Sequence, residues 1–255
     1  MPNIVYEESI DGLTLMEYAE FELKKPSFFI LGLPDTGLVG VISSNHIIET
    51  MGLQEVAGID IEPLMPPVAV ISKGEVRPPL RIYAKDNLMA LVAETPIPAS
   101  VIHILSRLII DYAIRKSVDY IISIVGIASP NRINIEKPNV YWIASNEKAR
   151  SLASNLGIEL FSNGYLVGPY ALILKQAIRK RVANIVLLAD AYVEFPDPEA
   201  AASVLTVLSK AIGKDIDVKK LLEQAEMIRV RLRGLMKKTR EAMAEMGGPS
   251  PLLYA

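Results

Sequence analysis

Short, nearly unbroken apolar runs alternate along the chain with longer stretches in which apolar residues recur every three or four positions. The first pattern reads as strands buried on both faces and the second as amphipathic helices, which together predict a layered α/β fold. Strands are expected at residues 27–33, 56–61, 68–72, 80–83, 88–93, 119–127, 140–143 and 184–188. Helices are expected at residues 37–51, 99–117, 146–155, 169–180 and 198–212, most of them flanked by Gly, Pro, Asp or Ser. Between Val56 and Ala93 strand signals crowd together with no helix among them, so an antiparallel meander and a mixed sheet are predicted. The segment Asp197-Pro198-Glu199 places a capping carboxylate, a first-turn proline and an acid where a helix start has unpaired amides.

The last quarter of the chain differs. From Asp217 to Met246 there is no proline, and Gly247-Gly248-Pro249 closes the run. About 29 residues of helix would extend roughly 44 Å. Within it Leu221, Ala225, Ile228, Leu232, Leu235, Thr239, Ala242 and Met246 fall on one seam. The opposite face carries Lys219, Lys220, Arg229, Arg231, Arg233, Lys237, Lys238 and Arg240, which reads as a solvated face of a helix docked or paired through its seam. The expected organisation is therefore an α/β core over residues 1–213, a helical arm over 214–246 and an extended tail over 247–255.

Composition narrows the function classes. A chain of 255 residues with 51% hydrophobic and 22% charged positions has the balance of a folded protein with a sizeable core. Lys and Arg number 27 against 29 Asp and Glu, so no global positive field favours nucleic acid or anionic lipid. Cysteine is absent, which removes disulfides, thiolate metal sites and cysteine nucleophiles. The most apolar run, residues 120–128, is far shorter than the roughly 20 residues of a membrane-spanning helix. The start Met1-Pro2-Asn3-Ile4 lacks a basic, then apolar, leader pattern, and a cytoplasmic protein is expected.

The turn Gly32-Leu33-Pro34-Asp35-Thr36-Gly37-Leu38-Val39-Gly40 follows a predicted strand and opens a helix, a place where backbone amides can cradle phosphate. It lacks the Lys-Ser/Thr of a P-loop and the dinucleotide glycine spacing, and Asp35 would repel an anion. A tight turn is expected instead, with Asp35 or Thr36 capping the helix and Gly40 allowing close helix–sheet packing. His46 and His103 have no ligand-spaced partners, so no metal site is expected, and both read as packing or surface residues. No Gly-x-Ser-x-Gly elbow exists, and Ser129 is read as a loop serine. Asp35, Glu94, Asp190 and Glu194 form a candidate ligand rim, each expected just beyond a strand end, where open α/β sheets bind ligands. Carboxylates alone supply neither nucleophile nor anchoring cation, and nothing places Arg77 or Arg81 beside them. No catalytic residue and no cofactor are assigned.

The chain resembles the proteasome assembly chaperone 2 family in its archaeal form. The resemblance is carried by the Gly32–Gly40 turn, by Asn163-Gly164-Tyr165-Leu166-Val167-Gly168-Pro169-Tyr170, by Leu188-Ala189-Asp190, and most specifically by Pro196-Asp197-Pro198-Glu199-Ala200-Ala201-Ala202-Ser203-Val204-Leu205. It implies a three-layer α/β/α sandwich of phosphorylase-like shape with a mixed sheet, a long C-terminal helix and an extended tail. It also implies a homo-oligomer whose partners are α subunits of the proteasome 20S core, with no nucleic acid or membrane involved. The ending Leu253-Tyr254-Ala255 matches the hydrophobic-Tyr-X pattern by which proteasome activators dock between α subunits, and the resemblance assigns these residues to core binding. Assembly chaperone and gate-opening activator remain alternatives. So does a phosphorylase- or hydrolase-like enzyme, or a small-ligand-binding protein, working at the acidic rim.

Overall fold

The computed structural model describes residues 3–61, 70–72 and 74–246. Its central strands alternate their side chains between two cores, as a strand's two-residue period requires. In β3 (Phe28–Gly32), Phe28 and Ile30 enter one core while Phe29 and Leu31 enter the other. In β8 (Leu88–Ala93), Leu88, Ala90 and Val92 oppose Met89, Leu91 and Ala93 in the same way. Strands apolar on both faces need cover on both sides. The first core is covered by α1 (Val39–Met51), α3 (Glu147–Ala153) and α5 (Pro198–Ile212), and the second by α2 (Ala99–Arg115) and α4 (Pro169–Lys180).

The main sheet has ten strands among the described residues. Strands β8, β3, β9 (Tyr120–Ala128) and β12 (Asn184–Ala191) run parallel at its centre, so their carboxyl ends share one margin. On one flank β7 (Leu80–Lys85), β4 (Gln54–Ile61), β2 (Leu13–Glu17) and β1 (Tyr6–Ile10) follow antiparallel. On the other, β10 (Val140–Ala144) pairs antiparallel with β12 and ends on the two-residue β11 (Glu159–Leu160). A separate hairpin joins β5 (Val70–Ser72) to β6 (Glu75–Arg77). This is the mixed three-layer sandwich expected, with the meander where the crowded strand signals stand.

Four local expectations are corrected. The hairpin β1–β2 was not expected, although Asp11-Gly12 takes the left-handed backbone of a tight hairpin turn, with φ of 48° and 89°. The terminal helix is divided at Gln224 into α6 (Lys219–Glu223) and α7 (Ala225–Glu245). Its seam is docked on the chain's own body: Leu221 and Met236 lie within the first core, and Ile228, Leu232 and Leu235 pack on it. Arg229 does not belong to a solvated face, because its guanidinium reaches both carboxylate oxygens of Glu199 in α5, at 2.5 and 2.6 Å. Asp35 does not cap a helix; its side chain makes no capping bond to the 3-10 turn at Thr36–Leu38.

The turn after β3 instead packs face down on β9. Asp35 Oδ2 accepts a hydrogen bond from the Gly126 amide at 2.5 Å. A Cβ at Gly126 would stand 2.0 Å from the Thr36 carbonyl oxygen, so only glycine admits the turn. The chain then passes through Gly37 at φ 65° and Leu38 at φ 52° before α1 begins. Gly40 lets α1 settle on β9, its missing Cβ leaving room for the Ile124 carbonyl, which would lie 2.7 Å away. From the opposite layer, the fully buried Tyr170 hydroxyl accepts from Leu33 N at 2.8 Å and donates to Leu31 O at 2.9 Å, pinning the end of β3.

Gly126→Ala should therefore lower unfolding stability by at least about 2 kcal/mol, since backbone rather than a flexible side chain blocks the added methyl. Gly234→Ala, in the exposed middle of α7 with nothing within 4 Å of its Cβ position, should raise it by about 0.5–1 kcal/mol. Urea denaturation midpoints at unchanged slope measure both.

Candidate functional site

The carboxyl ends of β3, β8, β9 and β12 lie along one margin, the position at which open α/β sheets bind ligands. Here that margin is largely filled by the chain itself. Arg132, in the loop after β9, is buried and grips Asp197 through Nε at 2.7 Å and Nη2 at 2.8 Å. Its remaining Nη1 donates to the Ile135 carbonyl at 2.6 Å, and its guanidinium lies 4.6 Å from the centre of the Tyr192 ring. Asp197 also accepts from the amides of Tyr192 and Ala200, at 3.1 and 3.0 Å, so one carboxylate both neutralises Arg132 and starts α5. Its own amide donates to the Gly37 carbonyl at 2.8 Å, fastening this cluster to the turn after β3. A buried ion pair with its hydrogen bonds met is rigid, and it leaves no charge free for a ligand.

Beside the cluster a cleft opens between Asp35 and Gly126 on the sheet, Ile97 and Leu166 at the sides, and Met243 and Met246 of the terminal helical segment above. Asp35 is 5% exposed, and burial pushes its carboxyl well above the usual carboxylate range against the opposing pull of the Gly126, Gly40 and Asp35 backbone amides. Among the described residues its Oδ1 has no hydrogen-bond partner, and neither has the buried Oγ1 of Thr239, which lines the same cleft from α7.

The remaining acids of the candidate rim are placed differently. Glu94, after β8, pairs with Arg81. Asp190 lies inside β12 rather than beyond its end, and accepts from Asn139 Nδ2 at 3.0 Å. Glu194 is exposed and stands 3.7 Å from Arg240 of α7. Asp35 lines the cleft; Glu94, Asp190 and Glu194 do not. Arg77 pairs with Glu55 and Glu75. His46 is buried, its Nε2 lying 2.8 Å from the Asp217 carbonyl, whereas His103 is exposed. Ser129 is half-buried in the loop after β9, its carbonyl accepting from Arg132 N at 3.1 Å. Among the described residues no group of three or more His, Asp or Glu could hold a metal ion, and no helix is long and apolar enough to cross a membrane. Leu253, Tyr254 and Ala255 lie outside the described residues. Sequence reasoning missed Tyr170, Arg132 and Thr239 as components of this margin. A proline-started helix carrying Tyr170, and a loop arginine just beyond the most apolar strand, were the signals available.

The margin and its layers define an α/β/α protein whose strand-end turn is occupied by its own carboxyl group. The chain belongs to the PAC2 family, whose model matches residues 29–236. It is 26% identical over 243 residues to an uncharacterized protein of Methanocaldococcus jannaschii, covering 95% of this chain and 99% of that one. The crystal structure of Pyrococcus furiosus PbaA, an archaeal homolog of proteasome-assembly chaperone, matches with TM-score 0.80 and 28% identity over 90% of this chain and 99% of that one. The crystal structure of Pyrococcus furiosus PbaB, an archaeal proteasome activator, shares the fold with TM-score 0.73 and 22% identity over 88% of this chain and 99% of that one.

The buried Asp35 carboxyl makes stability depend on pH. Folding raises its pKa, so above the ordinary carboxyl value of about 4 the folded state holds a proton that the unfolded state has released. The associated stability is complete below that value and is lost as pH rises toward the raised folded value. Asp35→Asn keeps the shape without the titration. It should match the parent near about pH 4 and exceed it increasingly at higher pH, as read by urea denaturation across a pH series.

Proposed function

We propose that this protein is a proteasome assembly chaperone or activator homologue that docks on the α ring of the 20S core through Leu253-Tyr254-Ala255. Membership of the PAC2 family together with likeness to PbaA, described as an archaeal homolog of proteasome-assembly chaperone, is the observation that carries the reading. The segment Gly247-Gly248-Pro249-Ser250-Pro251 disfavours helix and serves as the tether. From Gly247 to Ala255 it spans about 25–30 Å when extended.

In this mechanism the carboxylate of Ala255 pairs with a lysine between neighbouring α subunits, Leu253 fills an apolar recess, and Tyr254 adds contact area and a hydroxyl bond. One short tail buries too little surface for tight binding. Several tails on a homo-oligomer raise one another's effective concentration, so affinity comes from avidity. The seam of α6 and α7 is engaged by the chain's own body, which leaves contacts between copies to other surfaces.

Removing Ala255 alone withdraws the carboxylate by about 3.5 Å, beyond the reach of a charge-assisted hydrogen bond. Chains lacking Ala255, lacking residues 253–255, or extended by a tag after Ala255 should lose co-sedimentation with 20S particles while keeping the parent's thermal unfolding transition. Undiminished co-sedimentation of all three would sink the docking mechanism, and the mass of the free protein in solution tests the oligomer.

A further inference from the structure

The cleft beneath the end of α7 is lined by two buried side chains, Asp35 and Thr239, that each leave an oxygen outside the hydrogen bonds of the described residues. Asp35 is 5% exposed and Thr239 2%. They come from opposite sides: Asp35 follows β3, whereas Thr239 descends from α7, and both line the same space. Leaving a buried donor or acceptor unmet is costly, so two in one largely apolar cleft point to something that satisfies them. The Gly126 amide donates to Asp35 Oδ2, so Oδ1 is the carboxyl oxygen left without a partner among the described residues.

We propose that this cleft is a binding site for a small, uncharged, largely apolar molecule bearing one hydrogen-bond acceptor, a carbonyl or hydroxyl oxygen held by the Asp35 carboxyl and the Thr239 hydroxyl. Its walls are largely apolar, with Ile97, Val125 and Leu166 lining the space, and among the described residues no Lys, Arg or His lines it to neutralise an anion. The raised pKa of Asp35 agrees with its role as a neutral donor. The cavity itself is small, ≈ 20 Å³, room for about one water. A larger guest enters by displacing Met243 and Met246, whose unbranched side chains re-pack at little cost. The helix is built to allow this. Its upstream part is tied by the two-oxygen contact of Arg229 with Glu199 and by buried Met236. Near the cleft an exposed Arg240–Glu194 pair at 3.7 Å adds little restraint.

The test uses the full chain, isotope-labelled, titrated with cyclohexanone, and follows the backbone amide of Gly126, which reports directly on the Asp35 carboxyl. Saturable shifts at Gly126 and at Thr239 are expected, with weaker binding of methylcyclohexane, which lacks the acceptor, and none of cyclohexanecarboxylate. Thr239→Val should weaken cyclohexanone roughly three- to tenfold while leaving methylcyclohexane unchanged. Met243→Trp, which fills the entry, should abolish binding of both, and Asp35→Asn, which retains a donor, should preserve it. Thermal unfolding of each variant confirms that it is folded. The proposal is overturned if cyclohexanone gives no saturable shift in the parent, if Met243→Trp binds like the parent, or if cyclohexylammonium binds in preference to the ketone. None of these measurements involves 20S particles, so their outcome is distinguishable from that of the docking test.

Discussion

The contact between the turn after β3 and the middle of β9 governs the rest of the molecule. A carboxyl group and a carbonyl from consecutive residues, Asp35 and Thr36, are laid on one glycine of the most apolar strand. Because Gly126 has no side chain, the turn sinks to the sheet surface and α1 can follow it down, with Gly40 meeting β9. Because the turn sits that low, the Gly37 carbonyl is available to the amide of Asp197, and α5 is set beside α1 in the same layer. Three segments distant in the chain are thereby fixed by one close approach of backbone to backbone.

A second consequence concerns chemistry. In other α/β proteins a glycine-rich turn at this place turns its amides toward a bound anion. Here the chain supplies its own acid to an amide of the neighbouring strand, and Arg132, in the loop after that strand, is consumed by Asp197. The margin that could have held a charged substrate is occupied by internal pairings. Resemblance of layer architecture to enzymes therefore transfers no reaction to this protein. The same sandwich carries the long terminal helix, with Leu221 and Met236 set into its first core.

Much of this was legible from periodicity. The strands β8, β9 and β12 announce themselves as continuous apolar runs, and α4 and α5 begin at Pro169 and Pro198, where a first-turn proline belongs. The start of α5 was readable to the atom, since Asp197 does accept from the Ala200 amide. Pairings across long separations escaped. An aspartate ahead of a helix looks the same whether its carboxyl turns outward to cap or inward to an amide 91 residues away. Arg229 looked solvated because its partner Glu199 lies on another helix, 30 residues earlier. The β1–β2 hairpin is a different case: its Asp11-Gly12 signal was present, but a half-exposed strand at the edge of the sheet offers too weak an apolar alternation to draw notice. Strand β11 has two residues, too few for any period.

The borders of the sheet carry a final implication. One border is β11, a ladder too short to seed growth. The other is β1, where Glu7 and Glu8 stand at the surface, Glu8 is tied to Arg115 at 2.8 Å, and the same guanidinium lies 4.2 Å from the centre of the Tyr6 ring. A foreign strand aligning there would have to disturb that cation and meet Glu7 and Glu8, one on each face of the edge strand. Both limits of the sheet thus carry features that disfavour lateral strand addition, a very short strand at one and charged side chains at the other, so among the described residues the sheet is guarded at its borders by local chemistry.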